Sequence, residues 1–116
     1  MFNFEKLDVW RKSISFAGLV YEATRGFPSD ERYGLTTQIR RAAVSVASNI
    51  AEGSARPPAD FARFLGYATG SLFEVITQAT IANQQAFLNT EDYQRLNETA
   101  VEISRMLSGL RNSLEK

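Results

Sequence analysis

Neither cysteine nor histidine occurs among the 116 residues. Without cysteine there is no disulfide framework, no thiolate metal site and no sulfur nucleophile. The lack suits a reducing compartment. Without histidine, the commonest general base and the commonest transition-metal ligand are both missing. Net charge is missing as well, since 13 Lys and Arg balance 13 Asp and Glu. Such a chain is no polycation that coats nucleic acid along its whole length, although a local basic patch stays open. No stretch approaches the ~20 apolar residues that span a bilayer. The opening "MFNFEKLDVW" has acidic and basic residues and no apolar run, unlike a signal peptide. The expectation is a cytoplasmic protein with one domain over residues 1–116.

The chemistry inventory is correspondingly thin. There is no GxxxxGK[ST] or GxGxxG phosphate loop. A di-iron bundle needs Glu-x-x-His motifs, which a chain without histidine cannot supply. Glu98 and Glu102, four apart, read as a solvated acidic edge. Glu52 and Arg56, also four apart, suit a surface pair. No nucleophile–base pair stands out. The expectation is a protein that is not an enzyme and needs no metal or cofactor.

What the sequence does have is helical periodicity. Trp10, Ile14, Ala17, Tyr21 and Thr24 recur at spacings of three and four, with Val9, Phe16 and Val20 beside them, behind Asp8 as N-cap. "RGFPSDERYG" breaks the pattern with Gly26, Pro28 and Gly34. A second helix runs from near Thr36 to Gly53, which suits a C′ position before Pro57-Pro58. Pro58 then suits N1 of a third helix of ~29 residues, with Asp60 in its first turn. Phe61, Leu65, Ala68, Leu72, Val75, Ala79, Ala82 and Ala86 form its apolar stripe. Asn89 or Thr90 caps a fourth helix with a heptad seam of Tyr93, Leu96, Ala100, Ile103, Leu107, Leu110 and Leu114. Arg105, Arg111 and Lys116 lie towards its end, where cations are favoured. The fold class is all-α, an antiparallel up-down-up-down four-helix bundle.

Two helices carry more apolar or uncharged surface than a lone bundle uses. On the second helix, Ile39, Ala42, Ala43, Val46, Ile50 and Gly53 form a core stripe. Arg41, Ser45, Ser48 and Glu52 lie opposite. Val44, Ala47 and Ala51 fall on neither, and Ala43, Ala47 and Ala51 make a row of small residues. A broad core stripe with exposed alanines is the plainer reading. On the third helix, Glu74 is the only charged residue from Phe64 to Thr90. Gly66 and Gly70 each cost roughly 0.5–1 kcal/mol relative to alanine in a helix interior, a cost that close backbone packing offsets. An uncharged face with small residues suits a buried subunit interface. The candidate interface residues are Ala47, Ala51, Gly66, Gly70 and Glu74, in a cyclic homo-oligomer.

The phrases "KLDVWRKS", "GFPSDERYGLTTQIRRAAVSVASNIAEGSAR" and "FARFLGYATGSLFEV" carry a resemblance. They are similar to the four-helix bundle family of proteins encoded in intervening sequences of bacterial 23S rRNA genes, over roughly residues 4 to 110. "YGLTTQIRRAA" followed by "NIAEG" is its most specific part. The resemblance implies a four-helix bundle and a homopentamer. The fold is also similar to that of accessory variability proteins of diversity-generating retroelements, pentameric barrels that bind nucleic acid and a reverse transcriptase. The chain departs from the family where Ala47 stands in place of a frequent proline, and where "NQQAFL" ends the third helix. The family brings no established activity to transfer.

Residues 32 to 63 contain Arg32, Arg40, Arg41, Arg56 and Arg63 against Glu52 and Asp60. Arginine suits phosphate contacts. The candidate nucleic-acid-binding residues are therefore Arg40, Arg41, Arg56 and Arg63, on RNA or DNA. The competing reading pairs Arg40 or Arg41 with Glu74 or Asp60 to fix helix register or a subunit interface. Asn49, on the flank of the core stripe, suits a hydrogen bond to a neighbouring helix end. A bundle that binds structured RNA or DNA and a protein–protein adaptor ring without nucleic acid are the two functional expectations.

Overall fold

In four segments, apolar residues recur at every third or fourth position, and each segment is a helix. These are α1 (Asp8–Thr24), α2 (Leu35–Ser54), α3 (Pro58–Gln84) and α4 (Thr90–Leu114), with short 3₁₀ turns at Asn3–Lys6 and Ser29–Glu31. The computed structural model describes residues 1–115, which include no strand. Lys116 lies outside them. Each helix packs on two others: α1 on α2 and α4, and α3 on α2 and α4, with no diagonal packing among the described residues. The molecule measures 44 × 22 × 22 Å.

The core follows the expected stripes on three helices. On α2, Ile39, Ala42, Ala43, Val46, Ile50 and Gly53 are all buried, and Ala47 joins them. On α3, Leu65, Ala68, Leu72, Val75, Ala79 and Ala82 are buried, while Phe61 is half-buried. On α4, Leu96, Ala100, Ile103 and Leu107 form the centre of the seam, with Tyr93, Leu110 and Leu114 packed at its margins.

On α1 the core face is rotated from the expected one. The buried positions are Val9, Ser13, Phe16, Val20 and Thr24, whereas Ile14 and Tyr21 are 47% and 42% exposed. Two polar residues lie in this stripe because each satisfies itself locally. Ser13 Oγ donates to the Val9 carbonyl at 2.7 Å, and Thr24 Oγ1 to that of Val20 at 2.8 Å. A buried hydroxyl left unpaired would cost about 1–3 kcal/mol. Residue polarity alone therefore misplaces the stripe.

The helix ends bring further corrections. Asp8 is the first residue of α1, not its cap; Leu7 stands at the cap, and Asp8 pairs with Arg11. Gly53 is not a C′ residue but lies inside α2, where no room exists for a Cβ beside Phe61 and Phe64. Pro58 opens α3 as expected, with Asp60 in its first turn. The helix ends at Gln84 after 27 residues, so Ala86 lies beyond it. Ala86 takes a left-handed φ of 63°. Its N–H donates to the Asn83 carbonyl at 3.1 Å, and the Phe87 N–H to that of Ala82 at 2.9 Å. These two bonds make a Schellman stop with alanine where glycine is usual. Asn89 is the cap of α4, its side chain accepting from the Asp92 N–H at 2.7 Å.

Candidate functional site

The candidate arginines separate into two groups. Arg40 and Arg41 lie in the first half of α2, and Arg56 and Arg63 lie around the α2–α3 turn, roughly 20 Å of helix axis away at 1.5 Å per residue. Arg32 precedes α2, its guanidinium 5.7 Å from the centre of the Tyr33 ring.

At the α2–α3 turn each arginine is occupied. Arg56 lies 3.7 Å from Glu52, the pair expected from their spacing, and its guanidinium sits 4.6 Å from the Phe64 ring centre. Arg63 donates to the Tyr67 hydroxyl at 3.0 Å and to Asp60 at 3.1 Å. The hydrogen bond with Tyr67, then that with Asp60, raises the Arg63 pKa above its ordinary value. These two cations are offset by two carboxylates, so little uncompensated charge remains there.

The α2 pair differs. Arg40 reaches α1, where its Nε donates to Thr24 Oγ1 at 2.8 Å and its guanidinium lies 4.7 Å from the Tyr21 ring centre. Arg41 is exposed and has no carboxylate within 4 Å among the described residues. Neither arginine pairs with Glu74 or Asp60; Asp60 is taken by Arg63. Tyr21, Thr37, Arg40, Arg41, Val44, Ser45 and Ser48 line one shallow recess without an acidic residue. Asn49 does not reach a neighbouring helix end. It donates to the Ser45 carbonyl at 2.9 Å and to Ser45 Oγ at 3.0 Å, and Ser45 Oγ meets Ser71 of α3 at 2.9 Å.

The candidate interface residues also divide. Ala47 is 5% exposed. It forms the floor of a groove between α1 and α2 with Ala51, beneath Phe4, Trp10, Ile14 and Val44. The Phe4 ring lies tilted against Trp10, 5.1 Å between centres, so the N-terminal turn covers one end of the small-residue row. Gly66 is covered from within the chain, since a Cβ there would lie 3.4 Å from the Arg111 guanidinium. Gly70 and Glu74 are exposed, and a Cβ on Gly70 would meet nothing within 4 Å. The hydroxyls of Thr69, Thr77 and Thr80 each donate to the carbonyl four residues back, at 3.0, 2.8 and 2.7 Å. That turns polar atoms towards their own helix and leaves methyl groups outward.

A second apolar groove, which the apolar stripes in the sequence do not mark, runs between α3 and α4. Leu72, Phe73, Ile76, Ala100 and Val101 line it, with Asn97 and Arg105 at its rim. Phe73 is 59% exposed and Val101 44%. Large apolar residues off the core stripe were the signal available for it. Among the described residues no group of three acidic, cysteine or histidine side chains is placed to hold a metal ion, and no helix is long and apolar enough to cross a membrane.

Among curated proteins no match is found. The fold is similar to that of a protein of unknown function from the S23 ribosomal protein family of Bacteroides thetaiotaomicron. The TM-score is 0.82 at 23% identity, over 90% of this chain and 95% of that one. Residues 5–109 match the model of the 23S rRNA-intervening sequence protein family, and the chain belongs to that family.

Proposed function

We propose that this chain is a non-enzymatic, self-assembling helical bundle whose work is done by the assembled surface, as a scaffold or adaptor ring. The observation that carries the reading is the pair of unlike apolar grooves, one between α1 and α2 and one between α3 and α4. Two unlike patches on separate sides favour head-to-tail association, which closes into a ring. The outer face of α3 after Arg63, with Glu74 as its one charged residue, Gly70 open and its threonines satisfied, supports the same reading. A pentamer is the ring size that the family resemblance implies.

The subunit in this reading is the antiparallel up-down-up-down bundle. Cross-helix pairs support it: Gln38 with Gln78 and Thr80 with Tyr93 each match a position near one helix's start to one near its neighbour's end, and Ser45 with Ser71 joins the middles of α2 and α3. Light scattering across concentrations tests the assembly. A mass several times 13.0 kDa is expected, and Phe73→Asp should lower it. A single 13 kDa species at every concentration would remove the proposal.

One observation favours a second reading, binding of structured RNA or DNA. It is the acid-free recess holding Arg40 and Arg41; Arg56 and Arg63, offset by Glu52 and Asp60, add less. Binding should weaken steeply with salt. The absence of binding even at low salt would end this reading.

A further inference from the structure

The recess on the outer side of α2 has the features of an anion site for a phosphate group. It encloses about 620 Å³ and is open to solvent, with Arg40 and Arg41 on its walls. Arg40 is already fixed in place by Thr24 and the Tyr21 ring, yet neither partner neutralises it. A held cation without a counter-ion gives up little rotamer entropy when an anion arrives. Arg41 beside it keeps its whole guanidinium fork free, the geometry that takes two oxygens of one phosphate.

Of the acids near in sequence, Glu22 pairs with Arg25 at 3.0 Å, Glu31 accepts the Leu35 N–H at 3.1 Å, and Glu52, one turn past Ser48, lies 3.7 Å from Arg56. Asp30 is exposed and does not line the recess. Ser48, exposed on the same face of α2 two turns after Arg41, adds a hydroxyl donor. The ring of Tyr21, 42% exposed, stands at the edge of the recess as an aromatic surface.

We infer that Arg41, Arg40 and Ser48 form a phosphate-binding recess, and that its ligand is the phosphodiester of an unpaired, single-stranded segment of a structured RNA, whose base stacks on Tyr21. The inference deepens the nucleic-acid reading and rests on the same two arginines. Stacking on an aromatic ring beside a basic groove is how single strands are held without sequence readout.

The test uses a fluorescently labelled oligoribonucleotide stem-loop with an unpaired loop and, separately, inorganic phosphate followed by the amide shifts of residues 37–48. The full chain is compared with Arg41→Ala, Ser48→Ala and, as an equal charge change elsewhere, Arg95→Ala. Arg41 and Ser48 are exposed, so neither substitution disturbs the core. Arg41→Ala should weaken oligonucleotide binding about tenfold and reduce the salt slope by about one. Ser48→Ala should weaken it less, and Arg95→Ala should leave it unchanged. If phosphate alone moves these shifts, loses the effect in Arg41→Ala, and no oligonucleotide binds, the recess stands with free phosphate as its ligand and the nucleic-acid reading falls. If the oligonucleotide binds Arg41→Ala as well as the parent, the recess is overturned while that reading survives. No response to either ligand, or an equal loss in Arg95→Ala, overturns the recess.

Discussion

Gly53 of α2 faces Phe64 of α3 so closely that a Cβ built on the glycine would stand 2.5 Å from the Phe64 Cβ and 3.1 Å from Phe61 Cδ1. Phe64 offers the root of its side chain here, not a flexible end, so the two helices would have to move apart. The packing between α2 and α3 is the most extensive in the molecule, and Gly53 sets its distance near the turn.

Gly53→Ala should therefore destabilise the fold although alanine is the better helix former. The propensity gain is about 0.5–1 kcal/mol, and overpacking typically costs about 1–3 kcal/mol. A net loss near 1–2 kcal/mol lowers the midpoint by roughly 4–10 °C in thermal unfolding. An unchanged or higher midpoint would mean that the α2–α3 crossing yields freely.

Ala86→Gly should do the opposite. Alanine in the left-handed region costs about 1–2 kcal/mol, and Ala86 is exposed with φ 63°. After the greater unfolded-state freedom of glycine is counted, a gain of about 0.5–1 kcal/mol remains. Chemical denaturation should show a higher midpoint with an unchanged slope.

At the head of α4, Asn89→Ala removes the acceptor of the Asp92 N–H. The cost of a lost N-cap is typically about 1 kcal/mol. Thr90 is the first residue of the helix proper, so Thr90→Ala should cost less. Comparing the two by denaturant midpoint separates the two residues that the sequence left as alternatives.

Gly70→Ala separates subunit from assembly. Within the chain the new methyl meets nothing within 4 Å, and helix propensity rises by about 0.5–1 kcal/mol. If the outer face of α3 packs against a neighbouring copy, light scattering on dilution should show the variant dissociating at a higher concentration than the parent. Equal dissociation would take Gly70 out of the interface.

How much of this was legible differs from helix to helix. The α4 seam could be read because its core positions are leucine, isoleucine and alanine, where polarity and burial agree. On α1 they disagree: Ser13 is buried because it bonds its own helix, Thr24 is buried as its spacing implies, and Ile14 and Tyr21 are left partly outside. The candidate site suffered in the same way. Five arginines within 32 residues look like one patch, but Arg40 and Arg41 lie in the first half of α2 and Arg56 and Arg63 lie past its end, so the rest of the helix keeps them apart. Which arginines are already paired depends on Tyr21, Thr24, Asp60 and Tyr67, and a residue count does not contain those contacts.

The sequence by itself determined that four helices form and roughly where each begins and ends. Helical periodicity, proline placement and capping act over a few residues, and their energies do not need the rest of the chain. Tertiary structure alone decided the rotation of α1, the role of Gly53 and the separation of free from occupied arginines. Each depends on the atoms a neighbouring helix brings within about 4 Å, the range over which packing and hydrogen bonding act.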